Sequence, residues 1–350
     1  SAPIWAPSPE RVANANATHF IDAVQTNFGV ESPDFHALWR WSVDHPVDFW
    51  PALWDFLDSV SEPRGERVLI DSDKMPGATF FPDARLNFAE NLLRRRDEGL
   101  AILFRNENGD ERRLSWAELA AEVAALAAAL RADGIGPGDR VAAYMPNVPE
   151  TTIAALATAA VGASFSSCAL DFGVGGVLDR FGQIEPTILI TADGYLYNGK
   201  AHRMTDRAAE VAAGLPGLRR VVLTPYIDPE PATSVVPGAV GYADYVRPHR
   251  GAAPTFEQVP FNHPLFIMFS SGTTGSPKCI VHSVGGTLMQ TLKEAVLHLD
   301  NRPDDRIQFF TSNAWVVWNL HLSFLGAGET IMLYDGSPFS PGPDALFDYM

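Results

Sequence analysis

The sequence has very little cysteine. Cys168 and Cys279 are its two cysteines, which is too few for the disulfide framework that stabilises many small secreted domains. We therefore expect two buried thiols in a reducing compartment. The first residues show no basic stretch followed by an apolar core, so no secretory signal is visible. Together these absences predict a cytoplasmic protein.

Long apolar runs and positive charges are also scarce. No uninterrupted apolar stretch reaches the length that a membrane-spanning helix needs. Lys and Arg number 26 against 42 Asp and Glu, a formal net charge of −16. Such a surplus of carboxylates repels nucleic acids and anionic membrane surfaces, so we expect neither as a partner. Small-molecule substrates are the expected partners, and composition leaves the oligomeric state open.

Several common catalytic and metal-binding motifs are missing. The sequence contains no H-E-x-x-H, no C-x-x-C and no Asp-rich calcium loop, so no dedicated protein metal cage is predicted. It also lacks the G-x-S-x-G elbow of serine hydrolases. The stretch "DFGVGGVLDRFG" has no G-x-G-x-x-G, so a helix start with close packing is favoured there over a dinucleotide site.

What remains is the pattern of a large α/β protein. A chain of 350 residues with 46% apolar content can bury a large core, and its length suggests more than one unit. Residues 1–98 place aromatic side chains at helical spacing, which predicts a helical, aromatic-rich cap. Strands and helices then alternate, which predicts mostly parallel sheets flanked by helices. We divide this part into a first α/β subdomain, residues 99–260, and the start of a second, residues 261–350.

Local signals sharpen that outline. Asn108-Gly109 between two alternating segments predicts a hairpin. Ser115 with Glu118 three residues later predicts a capping box at the start of a helix. The final stretch "PDALFDYM" predicts the opening of another helix, so we expect the chain to be the front portion of a longer protein.

The stretch "SSGTTGSPK", residues 270–278, is the strongest functional signal. It follows the apolar run "PLFIMF", which predicts a buried strand. Gly272 and Gly275 let backbone N–H groups turn toward one anion, and Lys278 adds positive charge. Further donors come from the hydroxyls of Ser270, Ser271, Thr273 and Thr274. The spacing is not G-x-x-x-x-G-K-[ST], so this phosphate loop is not that of a P-loop NTPase.

The stretch "TSNAWVVWN", residues 311–319, follows a second apolar strand in the same way. Because ligands of open α/β sheets bind outside the carboxyl ends of the strands, we expect this stretch and the phosphate loop to face one crevice. Trp315, Val316 and Val317 would form an apolar wall for a small substrate. Packing at a helix start is an equally good interpretation for Val317.

These residues resemble the adenylate-forming superfamily, which includes acyl-CoA synthetases, adenylation domains of peptide synthetases, and luciferases. The loop "SSGTTGSPK" is similar to the family's phosphate-loop signature. The stretches "SSCALDFGVGGVLDRFGQIEPTILITADGYLYNGK", "PKCIVHSVGGTLMQTLKEAVLHLDNRPDDR", "WVVWN" and "LYDGSP" are most similar to the acetoacetyl-CoA synthetases within it. The aromatic segment resembles the cap that precedes their core, so the resemblance covers nearly the whole chain.

The resemblance implies an ATP-dependent acid–CoA ligase with the fold of the family's N-terminal domain. Its substrates would be acetoacetate or a similar short-chain carboxylate, ATP and coenzyme A, with Mg²⁺ on the phosphates. By the family's motif, Thr274 and Lys278 have catalytic roles, and Lys200 lies where related enzymes carry a basic residue near the 3′-phosphate of CoA. The ATP phosphates would be held by Ser270, Ser271, Gly272, Thr273, Thr274, Gly275 and Lys278. The acyl pocket would be lined by Trp315, Val316 and Val317.

One departure from the family's pattern bears on the substrate. The family usually has Gly before the pocket Trp, whereas this sequence has Asn313-Ala314-Trp315, so a different small carboxylate stays open. The family's C-terminal catalytic domain is absent from the sequence, and we expect the isolated chain to be inactive. A non-catalytic module that binds an adenylate or another protein is the alternative from a different functional class.

Overall fold

A computed structural model describes residues 4–31, 34–271 and 275–350. Its α-helices lie in the aromatic-rich segment and between the strands that follow it. In chain order the helices are α1 (Pro9–Ala13), α2 (Asn16–Phe28), α3 (Phe35–Asp44), α4 (Pro46–Phe56), α5 (Phe88–Leu92), α6 (Trp116–Ala132), α7 (Pro149–Ala160), α8 (Val174–Ile184), α9 (Thr205–Ala213), α10 (Tyr242–Val246), α11 (Val284–Lys293) and α12 (Val316–Ser323).

The strands form two large sheets and three short pairs. In chain order they are β1 (Leu69–Ile70), β2 (Thr79–Phe80), β3 (Arg85–Leu86), β4 (Leu100–Asn106), β5 (Glu111–Ser115), β6 (Arg140–Met145), β7 (Ser164–Ala169), β8 (Ile188–Ala192), β9 (Gly194–Tyr197), β10 (Lys200–Arg203), β11 (Arg220–Thr224), β12 (Ala239–Gly241), β13 (Val259–Pro260), β14 (Pro264–Ser270), β15 (Lys278–Ser283), β16 (Arg306–Gln308) and β17 (Thr330–Asp335).

The larger sheet has seven strands in the order β12-β11-β8-β6-β7-β14-β15. Its strands run parallel except β15, which returns antiparallel to β14. Strands β6 and β8 are buried along nearly their whole length, because helices cover a parallel sheet on both faces and favour continuous apolar runs. All carboxyl ends of the parallel strands therefore lie on one edge.

The smaller sheet has four strands in the order β16-β17-β4-β5. Strands β16, β17 and β4 are parallel, and β5 pairs antiparallel with β4. Each large sheet takes strands from both predicted subdomains, since β14 and β15 join the larger sheet while β4 and β5 join the smaller one. The boundary predicted at 260/261 therefore does not separate the sheets.

The aromatic-rich segment packs through its rings. Phe20 contacts Phe49 edge to face with centroids 5.9 Å apart, and Phe49 makes the same kind of contact with Trp41. Trp54 is 3% exposed and stacks on Phe261, just before β14. Edge-to-face and offset contacts of this kind add to the burial of apolar area, so these rings join the cap to the sheets.

The specific local signals match the structure. Gly109 has a φ of +86° in the turn between β4 and β5, as a hairpin with Asn-Gly requires. Ser115 accepts a hydrogen bond from the Glu118 N–H, and the Glu118 carboxylate accepts one from the Ser115 N–H. The capping box at the start of α6 is thus present on both sides.

Three local predictions were wrong. Residues 343–349 form turns rather than the opening of a helix. The stretch "AHRMTDRAAEVAAGL", residues 201–215, predicts one helix, but its first three residues pair as a strand with β9 and the helix α9 begins only at Thr205. Cys168 is buried but Cys279 is exposed, because it lies on β15 at the edge of the larger sheet, where no further strand covers it in the described part of the chain.

Candidate active site

The carboxyl ends of the two large sheets meet at the segment before α12. The Asn313 side chain is 2% exposed, and its Nδ2 donates to the carbonyl of Met145 at the end of β6, at 2.9 Å. The carbonyl of Asn313 accepts a hydrogen bond from the Ser167 hydroxyl of β7, at 2.5 Å. These two bonds hold the segment 311–315 against the ends of two adjacent parallel strands.

Asn147, just after β6, joins the same edge to the smaller sheet. Its Nδ2 donates to the carbonyl of Tyr334 and its N–H donates to Asp335 Oδ1, both at 3.2 Å. Its Oδ1 accepts a hydrogen bond from Trp318 Nε1 at 2.9 Å. The side-chain amide of Asn147 thus forms hydrogen bonds through both its nitrogen and its oxygen, and these bonds fix α12 to the ends of β6 and β17.

A cleft with a volume of about 430 Å³ opens where these ends converge. Its walls are formed by residues from the carboxyl ends of both sheets and from the β9 hairpin. They are Met145, Pro146, Asn147, Ala169, Leu170, Asp171, Tyr195, Leu196, Tyr197, Phe310, Thr311, Ser312, Asn313, Tyr334, Asp335 and Gly336. A mostly apolar cleft with a few fixed polar groups at the carboxyl ends of parallel strands is the usual form of a small-molecule site in α/β proteins.

Asp335 is the acidic group fixed most firmly at this cleft. Its Oδ2 accepts a hydrogen bond from the Tyr226 hydroxyl at 2.8 Å, in addition to the bond from Asn147. Burial raises the pKa of Asp335 to about 6, and the hydrogen bonds from Tyr226 and Asn147 act in the opposite direction. Asp335 is therefore mainly ionised at neutral pH.

The predicted phosphate loop connects β14 to β15. Ser270 ends β14 on the same edge as the carboxyl end of β7 and is paired with Lys278, the first residue of β15. Ser271 and Lys278 are exposed, and Gly275 has a φ of +139°. The predicted site residues Gly272, Thr273 and Thr274 lie outside the described residues.

The loop therefore lies at the tip of an antiparallel hairpin, whereas the sequence indicated only a strand followed by a loop. The side chain of Gln183 on α8 donates to the carbonyl of Pro277 at 2.9 Å. This contact attaches the returning side of the loop to the helix that follows β7.

The predicted acyl-pocket residues lie at the start of α12. Trp315 is 66% exposed and Val316 is 50% exposed, while Val317 is half-buried. None of the three lines the cleft; this part of the chain contributes only the four residues before Ala314 to the lining. Their role in binding an acyl group stays a prediction.

Lys200 is exposed at the start of β10, directly after the turn of the β9–β10 hairpin. The same hairpin contributes Tyr195, Leu196 and Tyr197 to the cleft. The structure thus brings Lys200 onto the element that forms one wall, and its contact with CoA stays a prediction.

His282 is not arranged as a general base in the described structure. It is half-buried on β15, paired with Phe266, and burial lowers its pKa. For this histidine, four residues after Lys278, the sequence favours packing over a role as a base, and its half-buried position fits packing.

No protein metal cage is apparent within residues 4–31, 34–271 and 275–350, since no three His, Cys, Asp or Glu side chains there surround a common point. The donors around the phosphate loop are hydroxyls, backbone N–H groups and an ammonium. Such a set fits a metal that arrives already bound to phosphate oxygens better than one held by protein carboxylates.

Sequence reasoning missed Asn147, Asp335 and Tyr226. A signal for the first two was present, because each is a polar residue at the carboxyl end of a buried apolar strand, where ligands bind: Asn147 lies two residues after β6, and Asp335 is the last residue of β17. Tyr226 had no such signal. It follows β11 and reaches Asp335 across 109 positions of the chain.

Family comparisons agree with this geometry. A family model described as "AMP-binding enzyme" matches residues 89–350. The chain belongs to the AMP-binding enzyme family. A second model, "Acetyl-coenzyme A synthetase N-terminus", matches residues 35–92, within the predicted aromatic-rich cap. The predicted α/β fold with mostly parallel sheets and a preceding cap is confirmed for this chain.

Individual members of the family are similar to the chain over nearly all of its length. The acetoacetyl-coenzyme A synthetase of Rhizobium meliloti is 49% identical over 99% of the chain and 53% of the relative. The malonamoyl-CoA synthetase of Penicillium aethiopicum is 35% identical over 93% of the chain and 47% of the relative. The solved acetoacetyl-CoA synthetase of Streptomyces lividans matches with a TM-score of 0.93 and 45% identity, over 99% of this chain and 53% of that one.

The chain spans about half the length of the curated relatives it matches. Among the described helices, none combines the length and the apolar character needed to cross a lipid bilayer.

Proposed function

We propose that the chain is part of an acid–CoA ligase that activates acetoacetate, or a similar short-chain carboxylate, with ATP. This proposal rests on one observation: the carboxyl ends of both sheets meet at one cleft, and the phosphate loop follows β14 at the same edge. The names of the acetoacetyl-CoA synthetases of Rhizobium meliloti and Streptomyces lividans, which match the chain, support the choice of acid.

In the first step, a carboxylate oxygen of the substrate attacks the α-phosphorus of ATP. The new C–O–P bond forms as the bond between the α-phosphorus and the bridging oxygen breaks, and pyrophosphate leaves. Negative charge grows on the leaving group, so donors aimed at it in advance lower the barrier. We assign this role to Lys278 and Thr274, with binding by the rest of the loop 270–278.

Mg²⁺ on the phosphates would neutralise part of that charge when bound. The chain's own residues hold the phosphates through hydroxyls, N–H groups and the Lys278 ammonium. No protein nucleophile is needed in this step, because the substrate carboxylate is itself the nucleophile.

In the second step, the sulfur of CoA attacks the acyl carbon of the adenylate, loses its proton, and AMP leaves with the C–O bonding electrons. We propose that Lys200 binds the 3′-phosphate of CoA, since it is exposed on the hairpin that forms a wall of the cleft. Trp315, Val316 and Val317 are proposed to line the acyl group from the start of α12.

The test is acid-dependent pyrophosphate release by the full-length protein with acetate, acetoacetate and butyrate. Lys278→Ala should lower kcat/KM for release by about 10²-fold, as expected for loss of one donor to a developing anion. Lys74→Ala is the matched control, since Lys74 is an exposed lysine that pairs only with Asp71 in the cap. Unchanged release in Lys278→Ala would rule out our account of the loop.

The acid series separates the alternatives. Fastest release with acetoacetate supports the proposed substrate, and faster release with another acid supports a ligase for that carboxylate. Binding of ATP without release for any acid would favour a non-catalytic, adenylate-binding module.

We further propose a cytoplasmic location. Both cysteines are free thiols in the structure, which is typical of a reducing compartment, and the proposed substrates ATP and CoA are used there.

A further inference from the structure

Glu107 is a buried acidic residue at the end of β4 to which no part of the proposed reaction assigns a role. It lies at the turn of the β4–β5 hairpin and is 4% exposed. A buried carboxylate is costly unless it is paired or accepts several hydrogen bonds. Among the ion pairs of the described residues, none involves Glu107. Hydrogen bonds must therefore offset the cost of burying the Glu107 carboxylate.

Three backbone N–H groups supply those bonds. Oε1 accepts from Gly199, and Oε2 accepts from Asn198 and from Ser337, each at 2.8 Å. Hydrogen bonds to an ionised acceptor are shorter and stronger than neutral ones. One side chain on the smaller sheet thus binds two segments that are far apart in the sequence.

The first segment is the turn of the β9–β10 hairpin. Asn198 and Gly199 have φ values of +56° and +75°, the left-handed pair that a two-residue hairpin turn of type I′ needs. Their N–H groups point away from the hairpin, and such consecutive N–H groups form a small anion-binding concavity. The Glu107 carboxylate fills it.

The second segment follows β17. The Glu107 N–H donates to the carbonyl of Asp335 at 3.0 Å, and a Cβ added to Gly336 would lie 2.6 Å from the Cβ of Glu107. Gly336 also has a φ of +130°, so both its conformation and the close approach require glycine. Glu107 and the backbone after Asp335 are therefore in direct contact.

Both segments line the cleft. Tyr195, Leu196 and Tyr197 of the hairpin and Asp335 and Gly336 at the end of β17 are all part of the lining, whereas Glu107 itself is outside it. We propose that Glu107 is a positioning residue that fixes the β9–β10 hairpin against the end of β17, so that Lys200 is presented for the second half-reaction. This inference rests on the proposed function, because it assigns the hairpin to CoA.

The decisive variant is Glu107→Gln in the full-length protein. The amide has one acceptor oxygen and an NH₂ group that cannot accept, so at least one of the three N–H groups loses its partner. We expect the KM for CoA in thioester formation to rise about tenfold, while acid-dependent pyrophosphate release at saturating ATP stays within about twofold of the wild type. Equal losses in both half-reactions would overturn the proposal, because general damage to the fold has that effect.

The matched control is Glu111→Gln. Glu111 belongs to the same β4–β5 hairpin and pairs with Arg105 at 2.8 Å, half-exposed and away from the three N–H groups. It should leave the KM for CoA unchanged. Gly336→Ala is an independent test of the same contact and should raise the KM for CoA as Glu107→Gln does.

Hydrogen–deuterium exchange separates failure of this inference from failure of the proposed function. Peptides that cover residues 194–203 and 336–340 should exchange faster in Glu107→Gln than in the wild type, whether or not the protein forms a thioester. Unchanged exchange in both peptides overturns the positioning role. If exchange rises but the wild type forms no thioester with any acid tested, the role of the hairpin in CoA binding is overturned together with the proposed function.

Discussion

A buried carboxyl group lies near each end of strand β17. One of the two accepts hydrogen bonds and the other does not. Asp335, at the carboxyl end beside the cleft, accepts hydrogen bonds from Tyr226 and Asn147. Glu329, directly before the strand, is 0% exposed, and neither of its oxygens has a hydrogen-bond partner among the described residues.

The pKa values follow this difference. Burial raises the pKa of Asp335 to about 6, and burial together with the nearby Asp305 raises that of Glu329 to about 8. Asp335 is thus ionised at neutral pH, whereas Glu329 mainly keeps its proton. The hydrogen-bond donors around a buried acid, more than the extent of its burial, decide whether the acid is ionised. In β17 these donors are found at the carboxyl end, beside the cleft.

The largest effect is expected at Asp335. Asp335→Ala leaves the buried N–H of Asn147 and the hydroxyl of Tyr226 without their acceptor, so the free energy of unfolding should fall by about 3–4 kcal/mol. Chemical denaturation of the full-length protein measures this, with the exposed Asp344→Ala as the control. A fall below about 1 kcal/mol would mean that these hydrogen bonds contribute little.

A smaller effect of the opposite sign is expected at Glu329. Glu329→Gln removes the cost of ionising a buried acid without changing its size, so at pH 8 the variant should be more stable than the wild type by about 1–3 kcal/mol. Thermal or chemical unfolding at pH 8 measures the difference. A less stable variant at this pH would show that the carboxylate has a partner it needs.

The pH dependence of the free energy of unfolding is an independent test of the sign of the Glu329 effect. The pKa of Glu329 is raised from 4.5 to about 8, so the folded state binds more protons than the unfolded state between these values. The free energy of unfolding therefore falls as pH rises through this window. Asp335 and His321, whose pKa burial lowers from 6.5 to about 4, also contribute to the slope in this window, but they do so equally in the wild type and the variant, so the difference between the two slopes reports Glu329. The slope from pH 6.5 to 8 should be flatter in Glu329→Gln than in the wild type.

The smallest effect is expected at Tyr226. Tyr226→Phe removes one of the two hydrogen bonds to Asp335 and should cost about 1–2 kcal/mol. Because that bond lowers the pKa of Asp335, the same variant should raise the pKa of this carboxyl, which NMR titration can follow. An unchanged pKa would show that Asn147 alone sets the charge of Asp335.

The sequence predicted most of the regular structure because the signals were local. The buried runs of β6 and β8, the Asn108-Gly109 turn and the Ser115 capping box all depend on residues within a few positions of one another. Strand β15 escaped prediction for the opposite reason. Its residues are mainly exposed, so it has little apolar periodicity, and its pairing with β14 decides its conformation.

The candidate site was predicted in part. The polar loop after β14 and the segment before α12 were visible, since each follows an apolar strand. The bond from Asn147 to Asp335 joins residues 188 positions apart, and Glu107 meets the β9–β10 turn across 91 and 92 positions. Contacts between residues this far apart in the sequence depend on how the two sheets pack, which local sequence patterns do not predict.

Strand β14 has one further consequence for the phosphate loop. It pairs with β7 at Phe266 alone, but its pairing with β15 extends as far as Ser270 and Lys278. Beyond Phe266 the backbone pairing with β7 ends, although the Ser166 hydroxyl of β7 still donates to the Ile267 carbonyl, and β14 and β15 continue as a two-stranded ribbon. Such ribbons twist more readily than the interior of a sheet. Ser270 and Lys278 would move together when such a ribbon bends, so a change in its curvature would shift both ends of the loop without disturbing the core.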